Sequence, residues 1–151
     1  MKKLLPYVLA FHAALAAAIL LWALQEKFPG PLTNTLSPVW NSPWEMGKAA
    51  FFPLLAAAPT LWVLQKGGSR GGLCLMALSG AALALALAWT PLAPAAVAVL
   101  AITAALALYA ALWRRVSGDA LTWYLLTAAL SAAYCLLYTS PSPETLMNLV
   151  C

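Results

Sequence analysis

The stretch Leu73-Cys74-Leu75-Met76-Ala77-Leu78-Ser79-Gly80-Ala81-Ala82-Leu83-Ala84-Leu85-Ala86-Leu87-Ala88-Trp89-Thr90-Pro91-Leu92-Ala93-Pro94 decides how many helices the chain holds. The apolar run Leu73 to Trp89 and the run Ala93 to Trp113 are each close to the ~20 residues that cross ~30 Å of hydrocarbon. Only Thr90-Pro91-Leu92 separates them. Joined, they would form a helix longer than any bilayer is thick. Pro91 and Pro94 each disfavour helix in the preceding residue, and Trp89 is a headgroup-level residue type, so the two runs are predicted to form a tight hairpin.

Three further apolar runs, Leu4 to Leu24, Ala49 to Leu64 and Ala120 to Tyr138, complete the set. Charged or glycine-rich breaks at 65–72 and 114–119 separate them from the hairpin. Of the 151 residues, 64% are hydrophobic and 8% charged, and no water-soluble globule of this length could hide so much apolar surface. The predicted fold is therefore all-α, a single integral membrane bundle spanning 1–151. Its five transmembrane helices are expected near 4–24, 49–64, 73–89, 93–113 and 120–138, with an outer loop at 25–48 and an outer C-terminal tail at 139–151. The first run follows Met1-Lys2-Lys3, but it is longer than a signal peptide's apolar core and no polar cleavage region follows. It is read as a retained helix.

Charge sets the expected orientation. With the N-terminus in the cytoplasm, Lys2, Lys3, Lys66, Arg70, Arg114 and Arg115 lie inside, against Lys27 and Lys48 outside. Trp22, Trp40, Trp44 and Trp89 then fall at outer ends, and Trp62, Trp113 and Trp123 at inner ends, where amphipathic indoles belong. The C-terminus is placed outside, in a plasma or inner cell membrane. The basic residues are scattered rather than grouped, so no nucleic-acid partner is indicated. Cys74, Cys135 and Cys151 show no metal-ligand or disulfide spacing, and no metal or cofactor is expected.

The most informative polar segment is Ser37-Pro38-Val39-Trp40-Asn41-Ser42-Pro43-Trp44-Glu45-Met46-Gly47-Lys48. Ser42 and Glu45 fit a capping box, with Pro43 at the first helical position. Glu45 then sits at the positive end of the helix dipole, and Lys48 is within pairing reach three residues on. One reading makes Glu45 and Lys48 cap and anchor a helix at the interface. The other makes Trp40, Trp44, Glu45 and Lys48 a small ligand site under the outer loop.

This stretch, with Phe51-Phe52-Pro53 after it, resembles the hallmark of domain-of-unknown-function family 6512, small prokaryotic multi-pass membrane proteins. The family pattern reads Pro-Val-Asn-Glu-Ser-x-Trp-Glu-His-x-Lys. Pro38, Val39, Ser42, Trp44, Glu45 and Lys48 match it, while Trp40, Asn41 and Met46 replace its Asn, Glu and His. The replaced carboxylate and histidine are the groups suited to holding a metal or moving protons. The resemblance thus implies a topology and no known activity. It covers under a sixth of the chain.

Deeper in the bundle, His12 is expected near mid-span, where an ionisable side chain is a functional candidate. Ser79 with Gly80, Thr103, and Thr127 with Ser131 lie at similar depth and would form a polar layer with it if their faces converge. The plainer reading gives His12 a structural role, with each hydroxyl bonded to its own helix. Pro53 and Pro59 should kink the second helix. Gly80, Ala84 and Ala88, and Ala101 and Ala105, offer small faces for close helix contact. Four carboxylates spread over both sides make an enzyme the least expected class, and no catalytic residue is assigned. The expected role is a non-enzymatic accessory or assembly component, partnered by the bilayer and by another membrane protein or further copies of itself. The alternative is a transporter or channel for a small solute or protons using His12 and the Trp40, Trp44, Glu45, Lys48 site.

Overall fold

The computed structural model describes residues 4–37, 43–65, 69–116 and 120–139. Among these the chain is helical, with no strand. Helices α1 (Leu5–Lys27), α3 (Pro43–Leu64), α4 (Arg70–Leu87) and α5 (Pro94–Ala111) are each long and apolar enough to cross a membrane. A short α2 (Pro31–Leu36) joins the first two, and α6 (Ala120–Thr139) is a fifth long apolar helix. The all-helical bundle read from the sequence is the observed architecture.

The helix ends follow local chemistry. The side chain of Ser69 caps α4, its Oγ accepting the Gly72 amide proton at 3.2 Å. Beyond Leu87 the Thr90 hydroxyl and amide both donate to the Leu87 carbonyl, so α4 ends before Trp89. Pro94 opens α5 at a position where a missing N–H costs nothing. A 3-10 turn, Trp113–Arg115, follows α5 directly.

The expected outer loop at 25–48 is corrected in two ways. It contains α2, held by the Thr33 hydroxyl, which accepts the Gly30 amide proton at 2.9 Å and donates to the Phe28 carbonyl at 2.8 Å. The second membrane helix also begins at Pro43, the first helical position read from the sequence, so it extends upstream of the spanning segment expected from Ala49 and takes in Glu45 and Lys48. The helix is continuous through Pro53 and Pro59.

Helices α3 and α4 form the central pair. α1 packs on α3, α5 closes against α4 and α3, and α6 lies along α4. The shared core consists of Ala50, Phe51, Leu54 and Ala57 from α3, Met76, Ala77, Ala81 and Ala84 from α4, and Ala101, Ile102 and Ala105 from α5. Gly80 lets these three backbones approach. A Cβ there would collide with Leu54 and lie 3.6 Å from the Ala105 Cβ. α1 buries only Ala10 and Ala14 and leaves Leu5, Val8, Leu9, Ile19 and Leu20 exposed.

Alternating helix directions gather the described tryptophans at two ends. Trp22, Trp44 and Trp89 belong to one, called the Trp44 end below. Trp62, Trp113 and Trp123 surround the start of α4 at the other. There the Arg70 guanidinium lies 4.8 Å from the Trp62 ring centroid, Gly71 faces the Trp123 ring, and Gly72 presses on the Trp113 carbonyl.

Candidate functional site at the Trp44 end

Spacing of three along the first turns of α3 puts Glu45 and Lys48 on neighbouring positions of one face. The Lys48 Nζ lies 2.8 Å from the Glu45 Oε1, and the two side chains are 0% and 8% exposed. A buried charge is tolerated only when paired and hydrogen-bonded. Here the Asn34 carbonyl also accepts from Nζ at 3.3 Å and ties α2 to α3. The helix N-terminus further favours the carboxylate of Glu45.

One wall of this site comes from α6. The Tyr134 ring centroid is 5.9 Å from the Lys48 Nζ and 4.5 Å from the Trp44 ring centroid. Phe51 and Phe52 pack on the same ring at 5.6 and 5.9 Å. The approach needs Gly47, since a Cβ at that position would collide with the Tyr134 hydroxyl. Ser37 Oγ, Trp44 Nε1 and the Tyr134 hydroxyl oxygen are buried here with no hydrogen-bond partner. Such atoms are exceptional in folded proteins, where nearly all buried polar groups are hydrogen-bonded.

Of the sequence-predicted residues, the structure therefore brings Trp44, Glu45 and Lys48 together. Trp40 lies outside the described residues, as do Asn41 and the Ser42 of the expected capping box. His12 is not part of the cluster. It is exposed on α1, where its Nδ1–H donates to the Val8 carbonyl at 2.7 Å and its ring packs edge-on against Phe11.

The conditional polar layer around His12 does not form. Ser79 donates to the Met76 carbonyl at 2.8 Å, Thr103 to Val99 at 2.7 Å, Thr127 to Trp123 at 2.8 Å and Ser131 to Thr127 at 2.8 Å. Each hydroxyl reaches a carbonyl about one turn back in its own helix, the nearest acceptor available in an apolar setting. Thr103 is in addition exposed on α5.

Two features were not singled out in the sequence. Tyr134 is one, although a tyrosine near the outer end of the expected fifth helix is the type that carries an apolar body and a polar tip. The other is at the opposite end, where the Tyr109 hydroxyl donates to the Gln65 Oε1 at 3.4 Å and the Tyr7 ring lies 6.4 Å from that of Tyr109. A cleft of about 670 Å³ also opens between α1, α3 and α5, walled by Leu15, Ile19, Trp22, Ala98 and Ile102 and bounded by Leu36 and Lys48.

No group of three metal-ligating side chains occurs among the described residues. The Glu45–Lys48 pair is internally neutralised and covered. It fastens the α2 segment to the bundle, and beneath it the core is apolar. Comparison with protein-family models, curated proteins and solved structures finds no match.

Proposed function

We propose that this chain is a non-enzymatic accessory or assembly component of a plasma or inner cell membrane, with its N-terminus in the cytoplasm and its Trp44 end outside. The orientation rests on the lysine and arginine distribution. The partial match at Pro38 to Lys48 supports reading the chain as a divergent member of domain-of-unknown-function family 6512, whose resemblance brings topology and no activity.

One observation carries the functional reading. Between the ion pair at the Trp44 end and the Gln65–Tyr109 contact at the other, the packed core of the described residues is apolar: Ala50, Phe51, Leu54, Ala57, Met76, Ala77, Ala81, Ala101, Ile102 and Ala105. A solute or proton route needs water or a chain of polar groups, and the hydroxyls at this depth are bonded to their own helices. Transport through His12 would also require the imidazole to face inward. A surface for other membrane components is what the arrangement offers instead.

The test is flux. Vesicles containing the purified chain and an entrapped pH-sensitive dye should dissipate a proton gradient no faster than protein-free vesicles. A protein-dependent flux that disappears in the Glu45→Gln, Lys48→Met double variant would refute the accessory reading and favour a conduit.

A further inference from the structure

Resting on the accessory reading, we propose that the exposed face of α1 around His12 docks against a transmembrane helix of a different polypeptide, one that presents a side-chain amide N–H donor at the depth of His12. The Val8 carbonyl can only accept, so the Nδ1 that contacts it at 2.7 Å carries the ring proton. In the neutral ring Nε2 is then an acceptor, and it belongs to a residue on the exposed side of the helix. His12 is about 10 Å along a helix about 34 Å long, well inside the apolar layer. An acceptor left open there is costly, since hydrocarbon supplies no donor.

The surrounding face has the form of a helix-pairing seam. Leu5, Leu9, His12, Ala16 and Ile19 are all exposed and follow a spacing of four, three, four and three. That is the repeat of a left-handed pair crossing near 20°. Ala16, one turn from His12, lets a partner backbone come close.

Among the described residues, the hydroxyls at similar depth do not supply the donor. Ser79, Thr103, Thr127 and Ser131 spend their protons on carbonyls of their own helices. A second copy is a poor complement as well. Symmetric pairing through α1 would set two Nε2 acceptors against each other, and the exposed Thr103 of a neighbouring copy is already committed to the Val99 carbonyl. The fitting partner is a helix with a side-chain amide donor such as asparagine, since a serine hydroxyl would turn to its own helix as Ser79 and Ser131 do.

The full-length chain, labelled with a donor fluorophore, is reconstituted in phosphatidylcholine vesicles with acceptor-labelled poly-leucine transmembrane peptides. One peptide carries a single Asn at the depth of His12, and the other is all leucine. The Asn peptide should bind roughly five- to thirty-fold more tightly than the leucine peptide, the ratio expected of an interhelical hydrogen bond in lipid. His12→Leu should abolish that preference and His12→Asn should retain it. Equal binding of both peptides to the parent chain overturns the proposal, as does a preference that survives His12→Leu. Self-association of the chain that His12→Leu abolishes also overturns it, by assigning the face to a second copy. Proton flux measured on the same vesicles separates the two readings: flux with the preference intact refutes only the accessory role, and no flux with no preference refutes only the docking face.

Discussion

Replacing Lys48 by methionine keeps most of the side-chain volume and removes one charge, which makes it a clean probe of the Trp44 end. The Glu45 carboxylate, 8% exposed, would lose an ammonium 2.8 Å away. The tie from α3 to the Asn34 carbonyl would go with it. Breaking a buried pair from one side costs ~3–5 kcal/mol, chiefly through the charge left behind. Glu45→Gln should cost a similar amount, because Lys48 is fully buried. The double variant leaves no charge to strand and should fall within about 1 kcal/mol of the parent, since uncharged residues of like volume often replace such pairs without loss. Reversible unfolding in mixed micelles, followed by helical circular dichroism, measures all four chains. On these figures the cycle should show a coupling of at least ~5 kcal/mol. Additive single-variant losses would refute the reasoning, because they would mean that each charge is solvated independently.

Two sets of glycine substitutions test the packing. Gly47→Ala should destabilise by ~1–3 kcal/mol through overpacking, and adding Tyr134→Phe should recover most of that loss because the collision is with the hydroxyl. A double variant no more stable than Gly47→Ala would place the strain elsewhere. Gly72→Ala should be worse than Gly80→Ala in the same unfolding assay. The first meets the Trp113 backbone carbonyl, which cannot turn away, and the second meets the end of the Leu54 side chain, which can.

The helices were legible because hydropathy over ~20 residues is a strong signal and because every break carried glycine, proline or charge. Their edges were less so. The capping pattern put the first helical residue of α3 at Pro43, but hydropathy marked the spanning stretch only from Ala49, because Glu45 and Lys48 count as polar one by one, whereas a pair in contact can enter the buried part of a helix together. α2 was missed for a different reason. Pro31 to Leu36 is too short for periodicity to register, and it stands on capping by Thr33 and on the bond from Lys48 to Asn34. Trp44, Glu45 and Lys48 were readable as a unit from helical spacing alone. Tyr134 was not, since its place opposite Gly47 depends on how α6 lies against α4. The direction of His12 was beyond reach because α1 is apolar all round, and such a helix does not announce which side turns inward.

Tyr134 belongs to α6, the last of the described helices, yet it walls a charge pair that sits in α3. The burial of one ammonium is thereby shared between segments far apart in the chain. A change in α6 that withdraws the phenol ring would uncover the notch at Gly47 without altering α3 itself, so α6 serves as the stopper of a vessel whose other walls belong to α2 and α3.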